Sequence, residues 1–114
     1  MLPRSQRLRT AEVAEVMRRG SFARGRFMTA RVLRTEAEKS GGGDGTIRAA
    51  AVISKKVAKT AVVRNRVRRA LYGAIGTIGT PVPLRIVFIV NTLPDEPYGR
   101  AFAADAASII SALI

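Results

Sequence analysis

Fifteen consecutive residues, Lys55 to Arg69, hold seven basic side chains and no acidic one. Lys55, Lys56 and Lys59 come first as point charges, and Arg64, Asn65, Arg66, Arg68 and Arg69 follow in close order. A guanidinium is a planar fork that grips phosphate oxygens in pairs. The Asn65 amide both donates and accepts, which suits a ribose hydroxyl or a base edge. This set can recognise a polyanion but cannot break a bond. The chain has no His and no Cys, and its eight carboxylates are scattered. No catalytic acid–base pair, thiol nucleophile or metal-ligand cluster is therefore expected in the protein itself.

The wider composition agrees. The chain has 114 residues, 20 Lys or Arg and 8 Asp or Glu, for a formal net charge of +12. That length predicts one domain spanning 1–114, and 47% apolar residues argue against wholesale disorder. Residues 1–69 carry a balance of +13, whereas residues 70–114 carry −1. Sixteen of the basic residues are Arg. Such a one-sided, Arg-rich distribution points to nucleic acid rather than to a merely solubilising surface. No stretch approaches the roughly 18 apolar residues of a membrane span, and Met1–Ser5 do not read as a secretion signal. A cytoplasmic protein with no membrane partner is expected.

The elements that must position the basic residues follow from periodicity and punctuation. Thr10 is a candidate N-cap for a short helix over 11–19, with Val13, Val16 and Met17 on one side and Gly20 as the stop. Residues 26–35 read as a strand, and 47–53 as a second strand able to pair with it across a flexible hairpin loop at 36–46. A long helix follows Ser54–Ala58 and runs to about Ile75. Pro83 to Val90 reads as a buried strand. Pro94–Pro97 start a last helix whose apolar stripe is Tyr98, Phe102, Ala106, Ile109, Ile110 and Leu113. This order predicts an α+β fold, a two-layer sandwich of a sheet with helices.

On the long helix, Val63, Val67, Ala70, Leu71 and Ala74 fall within an arc of about 100°, the width of a core-facing stripe. Arg64, Asn65, Arg68 and Arg69 fall in a block of about 140° on the other side, with Arg66 on the flank. Like charges at i, i+4 cost a helix a few tenths of a kcal/mol. A face that accepts this cost without a carboxylate is one an anionic ligand would stabilise.

These residues resemble the protein subunit of bacterial ribonuclease P. The resemblance rests on Ser54-Lys55-Lys56, then Ala61-Val62-Val63-Arg64-Asn65-Arg66, then Arg68-Arg69. It extends upstream through Leu8-Arg9 and Arg19-Gly20, and downstream through the strand at 84–90 and the closing helix. It implies a mixed sheet with a left-handed βαβ crossover. It also implies a catalytic RNA that uses magnesium to remove the 5′ leader of precursor tRNA, with the magnesium bound chiefly by that RNA. The protein's partners would be that RNA and precursor tRNA. By residue match, Lys55, Lys56, Lys59, Arg64, Asn65, Arg66, Arg68 and Arg69 would contact the catalytic RNA.

A cleft between the sheet and the first helix would hold the leader, with Val13, Met17, Phe27, Arg31 and Arg48 as its candidate residues. The usual cleft aromatics are replaced here by Val13, Met17 and Ala30, leaving Phe27 and the nearby Phe22. Phosphate contacts from Arg24, Arg26, Arg31 and Arg48 are the expected compensation, although strand alternation cannot place all four on one face. A small structural RNA-binding protein of ribosomal type, with no part in cleavage, is the alternative. A DNA-binding protein is disfavoured because the basic face has no Gln or Glu to read bases.

Overall fold

A computed structural model describes residues 7–34, 47–76, 78, 84–95 and 97–113. Along the chain the elements are α1 (Thr10–Arg19), β1 (Ser21–Arg24), β2 (Met28–Arg34), β3 (Ile47–Ile53), α2 (Ala61–Ile75), β4 (Leu84–Val90) and α3 (Tyr98–Leu113). The strands form one mixed sheet in the order β1-β2-β4-β3. β2 is antiparallel to both β1 and β4, and β3 is parallel to β4. The α+β class holds, and β3, α2 and β4 form a parallel strand–helix–strand crossover.

The expected pairing of 47–53 with the preceding strand does not occur, because β4 lies between them. The physical reason is in β4 itself. Leu84, Ile86, Phe88 and Val90 are buried on one face, and Val87 is fully buried on the other. A strand apolar on both faces takes the centre of a sheet. Residues 36–46 lie outside the described residues, but the strands on either side of them are not neighbours, so the connection is not a hairpin.

Two further boundaries move. β1 was not expected: its four residues are largely exposed and too short for a period-two pattern. The tight link over Gly25–Phe27 makes it the partner of β2, with Gly25 N–H donating to the Met28 carbonyl at 2.7 Å. α2 begins at Ala61 rather than near 58, because Ser54 accepts N–H bonds from Val57 and Ala58 and so closes a turn first.

The main core lies between one sheet face and the pair α2 and α3. Met28, Ala30, Val32, Ile47, Ala49 and the even-numbered residues of β4 meet Val67, Leu71 and Ile75 of α2 and Phe102, Ala106 and Ile109 of α3. The predicted stripe of the last helix is therefore correct through Ile110. The Leu113 side chain lies outside the described residues. The outer edge of β3 is also covered. Leu8 N–H donates to the Ala49 carbonyl at 2.9 Å, and the Tyr72 hydroxyl accepts from Ala51 N–H at 3.3 Å.

α1 lies on the opposite sheet face, fastened by charge as well as by the fully buried Val16. Arg48 and Arg85 are register partners on β3 and β4 and share that face. Glu12 takes Arg48 in a two-pronged ion pair, with Arg48 Nη2 2.8 Å from Oε1, and Arg85 Nη1 reaches Glu15 at 2.9 Å. Burial by itself would raise the Glu12 carboxyl. The Arg48 bond, the Arg9 N–H and the nearby Arg85 charge outweigh it and hold the group below its ordinary value. A depressed folded value means that this stabilisation is present above the ordinary carboxylate range and is lost as pH falls through the folded value. The urea midpoint of the wild type should thus fall with acid in that window. Glu12→Gln should be less stable near neutral pH and should lose this part of the acid dependence. Parallel pH profiles for the two proteins would contradict the assignment.

Candidate nucleic-acid interface

The predicted RNA-contacting residues lie in one turn and one helix. Lys55 and Lys56 are exposed in the turn that Ser54 closes, and Lys59 is exposed just before the helix. Thr60 caps α2 by accepting Val63 N–H at 3.2 Å. The cap fixes where the helix starts, and hence which side chains face outward.

The outward face differs from the expected one by a rotation. Val62, Asn65, Arg66 and Arg69 are exposed and line a shallow groove of about 330 Å³. Arg66, expected on the flank, belongs to this face. Arg64 is half-buried and folds back, donating to the Ala58 carbonyl at 3.0 Å and the Lys59 carbonyl at 3.3 Å. It therefore ties the Lys-bearing turn to the helix instead of standing at the middle of the face. The cause is packing: Leu71 and Ile75 are in the core, which turns the Arg64 side of the helix toward the protein. Arg68 is half-buried and donates to Asn65 Oδ1 at 3.0 Å, so the amide orients that guanidinium. Val62, at 68% exposure, is the most exposed large apolar side chain described. α2 carries no acidic residue, so nothing on the helix neutralises this face.

The residues expected to bind the leader do not all meet. Val13 and Met17 share one side of α1, and Arg31 lies on the α1 side of the sheet. Arg48 is on that face too, but its guanidinium is engaged by Glu12 rather than presented to solvent. Phe27 is elsewhere. It occupies the β1–β2 link, packs against the main core, and accepts from Asn91 N–H at 2.9 Å through its carbonyl. The aromatic on the α1 side is Phe22, 57% exposed, with the Arg31 guanidinium 5.5 Å from its ring centre. Phe22 and Arg31 are register partners, which puts ring and cation side by side. Met17 and Val52 add exposed apolar surface. The sequence carries a signal for Phe22 only once β1 is known to be a strand.

Sequence reasoning missed Asp105. It lies on α3 and is the one buried charged side chain among the described residues. Its carboxylate accepts the N–H groups of Arg26, Phe27 and Met28, the last two at 3.0 Å. These bonds set the shape of the β1–β2 link. Among the described residues no group of three His, Cys, Asp or Glu could hold a metal ion, and no helix is long and apolar enough to cross a membrane.

Comparison with known proteins gives a consistent result. The profile of the family described as Ribonuclease P matches residues 2–101. Among solved structures, the chain is similar to a Staphylococcus aureus RNase P protein, with a TM-score of 0.71 and 16% identity, covering 95% of this chain and 94% of that one. It is also similar to a mutant of the S. aureus RNase P protein with defective mRNA degradation activity, with a TM-score of 0.73 and 14% identity, covering 96% and 88% respectively. No curated protein sequence matches.

Proposed function

The chain belongs to the Ribonuclease P family, and on that premise we propose how its two exposed nucleic-acid surfaces divide the work. It is the protein subunit of ribonuclease P, a tRNA-processing endoribonuclease. The outward face of α2 holds the catalytic RNA through Asn65, Arg66 and Arg69, with Lys55, Lys56, Lys59 and Arg68 beside them. The face under α1 receives the single-stranded leader, with Phe22 as the base platform and Arg31 as its cation. Val13 and Met17 supply the apolar wall. The observation that carries this reading is the exposed α2 face, on which Asn65, Arg66 and Arg69 stand with no carboxylate on the helix.

Hydrolysis of the phosphodiester belongs to the RNA partner in the cytoplasm. Among the described residues Glu12 and Glu15 answer arginines, Asp105 answers backbone N–H groups, and Asp95 belongs to no group of three that could hold a metal ion. Magnesium is accordingly assigned to the RNA. The protein's own part is placement: it holds the strand in reach and lowers the electrostatic cost of bringing two RNAs together.

Reconstitution with a bacterial ribonuclease P RNA and precursor tRNA at low magnesium tests the division. The wild-type chain should restore cleavage and bind precursor more tightly than mature tRNA. Phe22→Ala should reduce that preference by about tenfold, the scale of one lost stacking contact. Equal loss for precursor and mature tRNA would remove the α1 face from leader binding.

A further inference from the structure

A second groove lies on the other side of the β1 edge, away from α1 and from the outward face of α2. It has a volume of about 670 Å³ and lies between the β1–β2 link and α3. Arg24 and Arg26 line one wall, Arg100 and Ala104 the other, with Phe27 and Pro94 also in its lining. All three arginines are exposed. The Arg26 guanidinium lies 5.4 Å from the centre of the Phe27 ring. Of the two carboxylates in the lining, Asp105 is turned onto backbone N–H groups, and Asp95 alone is exposed. Three cations around an aromatic ring and a proline match the requirements of single-stranded nucleic acid, which offers phosphates and unpaired bases together.

The position of the groove identifies which strand. Phe22 with Arg31 on the α1 side and Phe27 with Arg26 in the groove are two cation-on-ring pairs on one hairpin. Arg24 lies between them: strand alternation puts it on the same side as Phe22, and it also lines the groove. The two sites are therefore continuous around the β1 edge. β1 and β3 are opposite edges of the sheet, and α2 lies beside β3, where Tyr72 meets Ala51. A leader whose scissile end stays near the RNA held by α2 reaches β1 with its 5′ portion. We propose that the 5′ portion of a long leader turns over β1 and lies in the Arg24–Arg26–Arg100 groove, a second single-stranded RNA site. This rests on the assignment of the α1 face to the leader.

The test uses the holoenzyme reconstituted from the full chain and ribonuclease P RNA. Precursor tRNA is supplied with a long leader or with a leader trimmed to its last few nucleotides. Wild type should bind the long-leader substrate about tenfold more tightly than the trimmed one. Arg26→Glu/Arg100→Glu, two exposed positions, should bind both substrates alike. Persistence of the long-leader preference in that variant, or its absence in wild type, would overturn the proposal. So would a loss equal for both substrates or a weakened assembly with the RNA, either of which would assign the groove to the catalytic RNA. Failure of the α1 assignment is read separately, from Phe22→Ala on the trimmed substrate against mature tRNA.

Discussion

Arg66→Ala/Arg69→Ala should weaken binding to ribonuclease P RNA about a hundredfold or more, the scale of two lost charge-assisted hydrogen bonds. The log–log dependence of affinity on salt should become shallower by roughly 1.5 to 2, because two fewer phosphates are neutralised and fewer counterions released. Both side chains are exposed, so thermal unfolding of the free protein should move little. Arg64 makes the informative contrast. Its guanidinium holds the Ala58 and Lys59 carbonyls, so Arg64→Ala should weaken RNA binding partly by releasing the Lys-bearing turn. Arg66→Lys/Arg69→Lys should keep most of the salt slope while losing affinity, since a point charge lacks the paired fork. An unchanged slope in the alanine pair would take the outward face of α2 out of the interface.

Asp105→Ala should destabilise the fold by about 3 kcal/mol or more, because three backbone donors lose their acceptor at once. Against a domain stability of about 5–15 kcal/mol, that is a large fraction. The urea midpoint should fall with little change in slope, as for a loss of stability without a change of unfolded state. Gly25 supplies a second route to the same contact. A Cβ there would stand 2.5 Å from Asp105 Oδ1, so Gly25→Ala should displace the carboxylate. Gly25→Ala and Asp105→Ala together should cost less than the sum of the two, since both act on one set of bonds. An Asp105→Ala midpoint within experimental scatter of wild type would show that water replaces the carboxylate at no cost.

These two sites mark how far the sequence could be read. α2, β4 and α3 were legible because each presents a long, regular apolar pattern, and the basic cluster was legible because no carboxylate interrupts it. The outward face was read with an error of rotation, since the wheel weighs Arg64 and Arg66 by angle alone. It cannot know that the Ala58 and Lys59 carbonyls are within reach of one of them. β1 was invisible because four largely exposed residues carry no periodicity, and with β1 went the meaning of Phe22. Arg48 was read as a phosphate donor because its partner, Glu12, lies 36 residues away and on a different element. Asp105 looked like one polar residue on a helix surface. Only the approach of Gly25–Met28 makes that position interior.

The central place of β4 has a consequence for how the molecule is made. β2 and β3 leave the ribosome first but cannot pair with each other, because the strand that joins them comes later in the chain. α2 is in a related position: it packs on β3, already made, and on α3, encoded after it. The basic helix thus emerges before β4 and α3, which complete the platform that orients it. A chain stalled before residue 84 would expose Val67, Leu71 and Ile75 together with the full run of arginines. The sheet therefore closes only when β4 arrives, after the positively charged helix has already been made.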